Sequence, residues 1–227
     1  MGGESILVSG IKMNTDVKIM SREVWSGAIR LAHACLLVSV LALMATGWLI
    51  SHAPVLAQGA SEIHHFVAAF FTVSLGFRLL LLFLDKNSGH WKRMIQAWPK
   101  PAMVGDMMLF YITFGRSKLP AWYAHNFMWI PLYFLLFLVL LLQAIVGVMM
   151  IYEVVLFGFF PEDVHHFLAG FVFWFVVLHI YAVVLHDMKS KNANISAMIN
   201  GYRYFEADLG QAKPKSNSVS INIKDIK

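Results

Sequence analysis

The sequence predicts an all-α membrane protein, a bundle of four transmembrane helices with both termini on the cytoplasmic side. Three observations carry this. Of 227 residues, 59% are hydrophobic and 14% charged, with a mean hydropathy of +0.64. A soluble globule could not cover that apolar surface with 18 Lys and Arg and 13 Asp and Glu. Four apolar runs are each long enough to cross about 30 Å of hydrocarbon at about 1.5 Å per residue, and the basic residues gather on one side of them.

Residues 1–23 form a cytoplasmic N-terminal segment with Lys12, Lys18 and Arg22. The spans follow at about 29–50, 63–84, 127–152 and 164–185. They are helices because lipid offers backbone groups no partners, and no run alternates with a period of two. The first is read as a retained helix and not a cleaved signal, since its apolar core is long and a polar leader of more than 20 residues precedes it. A fifth run, 102–114, is too short to span and is interrupted by Gly105 and Asp106, so an interfacial or loop helix is expected there.

The loops fix the orientation. Lys86, Lys92, Arg93, Lys100, Arg116 and Lys118 separate spans two and three, and Lys189, Lys191 and Arg203 follow span four. The connections 51–62 and 153–163 contain no Lys or Arg, and the second carries Glu153, Glu162 and Asp163. The basic side is therefore cytoplasmic. The formal +5 is a topology signal, and no nucleic-acid partner is expected. Residues 24–206 make up the four-helix domain, and 207–227, polar and without periodicity, read as a disordered cytoplasmic tail.

Chemistry rests on the ten histidines. Cys35 is the one cysteine, which excludes an internal disulfide and a thiolate cluster. Two segments echo each other: Glu62-Ile63-His64-His65-Phe66 followed by Ala68-Ala69, and Asp163-Val164-His165-His166-Phe167 followed by Ala169-Gly170. Small residues about four positions after a histidine leave space for a flat macrocycle. His165 and His179 are 14 residues apart, about 40° short of four full turns, so they share a face about 21 Å apart along the axis. His64 opens span two at the depth of His165, and His33 lies in span one level with His179.

Four intramembrane histidines matched by depth are what two bis-histidine haems require: His64 with His165, and His33 with His179. Ligation removes the cost of burying imidazole in lipid. With no CxxCH in the chain, any haem is non-covalent haem b. His65 and His166 are expected to turn away, His52 and His90 to be solvated, and His125-Asn126 to be solvated or to cap span three. Competing readings are structural histidines, or a small carrier using them as proton relays. The carrier needs polar partners within the spans, which contain Arg30, Arg78, Gln143 and scattered Ser and Thr.

These residues resemble the b-type cytochrome subunit of membrane-bound nickel–iron hydrogenases, over about residues 24–206. Arg30-Leu31-Ala32-His33 with Thr46-Gly47-Trp48 is similar to the family's first span. His64 with Thr72 and Arg78 is similar to its second, His125-Asn126 to the start of its third, and His165-His166 with His179-Ile180-Tyr181 to its fourth. The stretch Asp187-Met188-Lys189-Ser190 through Asn200-Gly201-Tyr202-Arg203 resembles its cytoplasmic signature. Departures are Ala34 for Trp, Phe127 for Pro, His186 for an acid, and Ala169-Gly170 for Gly-Met.

The resemblance implies a bacterial inner-membrane subunit that takes electrons from the iron–sulfur (small) and nickel–iron (large) subunits of a periplasmic hydrogenase. It would pass them through two haems to menaquinone or ubiquinone, hydrogen cleavage lying outside this chain. A cytochrome subunit for another periplasmic oxidoreductase, formate dehydrogenase-like, is the alternative. Arg30, Tyr181, His186 and Asp187 are the candidates for a quinone site.

Overall fold

The computed structural model describes residues 17–98, 100–155, 158, 160–189 and 194–208. Most of the expected N-terminal segment and nearly all of the expected tail lie outside the described residues.

The elements are β1 (Val17–Glu23), α1 (Gly27–His52), α2 (Ala57–Leu84), α3 (Trp91–Gln96), α4 (Pro101–Ile112), α5 (Ile130–Ile151), α6 (Pro161–Lys189), α7 (Asn194–Asn200) and β2 (Tyr202–Asp208). Among the described residues, four helices are long and apolar enough to span: α1, α2, α5 with the 3-10 turn Phe127–Trp129 before it, and α6. The architecture is the expected four-helix membrane bundle. Several helix ends have a local reason. Ser26 caps α1 by accepting the N–H of Ile29, and Asn126 caps the turn before α5 by accepting the N–H of Met128 at 3.0 Å. Pro101 and Pro131 stand in the first turns of α4 and α5. Glu162 and Asp163 open α6, and Lys189 closes it, each matching the helix dipole.

α1 packs on α2, α2 on α5 and α5 on α6. Phe71, Leu75, Val139, Leu140, Val146, Leu168 and Val172 make the buried centre between the spans. Outward-facing Leu, Val and Phe are exposed, as suits lipid, where association rests on packing and not on burial from water. Hydroxyls inside the spans are satisfied by their own helices: Ser39 donates to the carbonyl of Cys35, Thr46 to Ala42 and Ser74 to Phe70, each at 2.8 Å.

One end of the bundle is capped. There the Ser26 hydroxyl donates to Asp85 Oδ1 at 2.7 Å, tying the start of α1 to the end of α2. α3 and α4 fill the connection between α2 and α5. Met94, Met107, Phe110, Phe127, Ile130 and Leu185 bury together beneath them. The run expected as an interfacial helix is α4, and Gly105 and Asp106 do not break it.

The two-stranded antiparallel sheet of β1 and β2, paired from Val17↔Asp208 to Glu23↔Tyr202, departs from the all-α expectation. Its strands come from opposite flanks of the bundle, and neither has a partner nearby in sequence. Arg203, 2% exposed, pins this sheet to the loop before α5 by donating to the carbonyls of Trp122 (3.4 Å) and Tyr123 (2.6 Å). At the other, open end, α1 turns into α2 within four residues, 53–56. α2 therefore starts earlier than the hydropathy of its sequence suggests, because Gln58, Ser61 and Glu62 extend the helix beyond the apolar run.

Candidate functional site: two histidine pairs

The structure brings the four singled-out histidines together in twos. At the open end, His64 on α2 and His165 on α6 have ring centres 6.3 Å apart. Nearer the capped end, His33 on α1 and His179 on α6 are 6.5 Å apart. All four are partly buried. Of the other spans, α6 packs closely on α5 alone, so the imidazoles reach α1 and α2 across a looser space. His65 and His166 are exposed, and His166 lies 3.9 Å from Glu162 on the surface.

The open-end pair is held by its neighbours. Thr46 Oγ1 is 2.8 Å from His64 Nδ1. Because Thr46 spends its proton on the Ala42 carbonyl, it accepts the Nδ1–H, which leaves the Nε2 lone pair of His64 free. A Cβ on Gly47 would stand 3.7 Å from His64 Cε1, and one on Gly147 would stand 3.6 Å from His165 Cε1. The small residues against the rings are thus Gly47 and Gly147, from neighbouring helices. Gly170, expected in that part, has nothing within 4 Å. Gln143 Nε2 lies 3.0 Å from His165 Nε2, while His165 Nδ1 and Gln143 Oε1 are buried without a hydrogen-bond partner among the described residues.

The capped-end pair is walled by rings. Phe175 stacks on His179 at 5.8 Å and 11°, and Trp129 and Tyr133 meet the same imidazole edge-on at 5.8 and 6.4 Å. Arg78 on α2 is buried close by, its guanidinium 5.0 Å from the centre of the Phe137 ring.

The quinone candidates divide. His186 is 5% exposed, and its Nε2 accepts from the Tyr111 hydroxyl at 2.9 Å. Tyr181 donates to the Tyr111 carbonyl at 3.3 Å, and Asp187 follows His186, partly buried. Arg30 turns instead to α7 and donates to the Ile199 carbonyl.

Tyr111, absent from the candidates, is the hub of this region: its oxygen also accepts from Trp129 Nε1 (2.7 Å) and Asn126 Nδ2 (3.3 Å), and burial pushes its pKa up to about 12. Nothing in its apolar local sequence marks it. His125 is half-buried. It packs 4.7 Å from Trp25 and 5.9 Å from Tyr133, and burial, aided by the charge of Arg78, pushes its pKa down to about 3. His90 caps α3 through its ring nitrogen.

Residues 24–201 match the family model described as prokaryotic cytochrome b561. The chain belongs to that family, the b-type cytochromes of nickel–iron hydrogenases. No curated protein and no solved structure matches it. It is a multi-pass membrane b-type cytochrome of an electron-transfer family, which implies haem b.

The residues of the cytochrome fit that group. Two imidazoles gripping one iron from opposite sides, at about 2 Å per bond, put their ring centres about 6 Å apart, and both pairs have this spacing. Among the described residues there is no cluster of three or more metal-binding side chains. The Gln143 amide must turn away from His165 Nε2 for that nitrogen to bind iron.

Proposed function

We propose that the chain is the membrane cytochrome b subunit of a respiratory hydrogenase. It binds two haem b groups, one between His64 and His165 and one between His33 and His179. Electrons enter at the open, periplasmic end from the iron–sulfur subunit of a nickel–iron hydrogenase. They leave at the capped, cytoplasmic end to menaquinone or ubiquinone in the bacterial inner membrane. The observation that carries this is the spacing of the two pairs, 6.3 and 6.5 Å, strung along one helix of a b-type cytochrome.

His64 with His165 and His33 with His179 would hold the haem b groups, which would supply a one-electron couple. The chain's own residues do the rest. Thr46 holds His64 in the tautomer that presents Nε2. Gly47 and Gly147 leave room beside the open-end rings. Phe175, Trp129 and Tyr133 keep water from His179. At the capped end, Tyr181 and His186 meet at Tyr111, and with Asp187 they form the proposed place for a quinone oxygen and its proton. Arg30 stays a candidate from the same end, with its guanidinium committed to α7.

A dithionite-reduced minus oxidised spectrum and a pyridine haemochrome assay test the core of this reading. Two b-type haems per chain are expected, and a chain that binds none sinks it. Gentle solubilisation tests the donor: recovery of a hydrogenase supports the assignment, and recovery of a different periplasmic dehydrogenase replaces it.

A further inference from the structure

Arg78 is a buried cation with an incomplete set of partners. It is 8% exposed, its Nη1 makes no hydrogen bond among the described residues, and one face of the guanidinium rests on Phe137. A charge held in hydrocarbon is costly unless an opposite charge meets it. The acid whose charge reaches it, Asp85, is engaged elsewhere. Oδ1 takes the Ser26 hydroxyl at 2.7 Å, and Oδ2 takes the N–H groups of Asn87 and Gly89 at 3.0 and 2.9 Å. Among the described residues no carboxylate forms an ion pair with Arg78.

Its charge reaches two imidazoles at this end of the bundle, His33 of the capped-end pair and His125 before α5. Arg78 stands six residues before the end of α2, and His33 six residues after the start of α1, so both are about 9 Å in from the same end of the bundle. That depth is level with His33 and inside the bundle, within reach of a carboxylate carried by a macrocycle bound at this pair.

We propose that Arg78 is the counter-ion of a propionate carboxylate on the haem held by His33 and His179, and that its charge holds up the reduction potential of that haem. The proposal rests on the haem-ligand reading above. A guanidinium offers a carboxylate two parallel donors in a fixed fork. It completes the free Nη1, orients the macrocycle on the α2 side, and opposes the extra positive charge of the oxidised iron.

Potentiometric titration of the full chain in detergent tests it, with haem content measured alongside. In Arg78→Gln, the reduced-to-oxidised ratio of one haem at fixed ambient potential falls about tenfold, about 59 mV for one electron, while the other haem stays put. Arg78→Met, whose apolar chain suits the membrane, gives the same result should the Gln variant not accumulate. Arg78→Lys keeps the charge and moves the ratio no more than about threefold. Loss of one haem from the neutral variants but not from Arg78→Lys also supports the pairing, and loss from all three counts against it. Both haems bound with unmoved potentials in a neutral variant overturn the proposal and leave the ligand reading intact. A wild-type chain without haem overturns that reading first.

Discussion

Thr46 and His64 meet across the α1–α2 hairpin, hydroxyl oxygen to Nδ1 at 2.8 Å. The link makes one helix choose the tautomer of a ring on the next. Support of this kind for a metal-binding imidazole is worth about 10–100-fold in affinity. Thr46→Val keeps the shape and removes the acceptor, so haem binding at the open-end site weakens by about that factor, while Thr46→Ser stays near wild type. Titration of haem-depleted protein with haem b checks this. Equal affinity in the Val variant means the bond does not position the ring.

Gly201 closes the capped end. Its φ is +92°, and a Cβ there would meet the Trp25 carbonyl oxygen at 2.8 Å. Its own carbonyl accepts the N–H groups of Val24 (2.8 Å) and Trp25 (3.1 Å). Gly201→Ala therefore combines backbone strain with a backbone clash and costs about 1–3 kcal/mol. A lower thermal midpoint in detergent, with haem content unchanged before unfolding, is the expected result. A midpoint equal to wild type shows that the turn relaxes freely.

Much of this was legible from residues because the physics acts locally. The spans follow from unbroken apolar runs, and the shared face of His165 and His179 follows from helical periodicity on one element. The depth match of His64 and His33 with them needed only the direction of each helix. What stayed hidden depends on contacts between distant segments. Val17–Glu23 becomes a strand because Tyr202–Asp208 lies alongside it. Gly47 and Gly147 line rings carried by other helices. His125 packs against Trp25 and Tyr133, neither of them its neighbour in sequence. Gln143 was visible as an amide in an apolar span, yet its partner His165 sits on the next helix.

His125 makes stability depend on pH. Its folded pKa is pushed down to about 3 from an ordinary 6.5, so the folded ring refuses a proton that the unfolded chain accepts. Its contribution is complete above about pH 6.5 and is lost as pH falls toward 3, at up to about 1.4 kcal/mol per pH unit. The wild-type thermal midpoint should drop further than that of His125→Gln between neutral pH and about pH 5.5. Parallel losses remove His125 from the acid response.

The pairing itself can be separated from the mere presence of histidines. If His33 and His179 share one iron, His33→Ala and His179→Ala abolish the same spectral and potentiometric component, and the double variant loses nothing more. His64→Ala and His165→Ala should likewise remove the other component. Crossing the pairs, as in His33→Ala with His165→Ala, should remove both. Residues acting as one unit are non-additive in this way, while independent sites add. The contacts make the two cases unequal in robustness. Phe175, Trp129 and Tyr133 all pack against His179, whereas His165 has a ring nitrogen without a partner among the described residues. Under mild acid or chelating detergent wash, the open-end component should therefore leave first. Simultaneous loss of both components from every single variant would mean that the four imidazoles form one structural unit, and the assignment of two separate irons would fall.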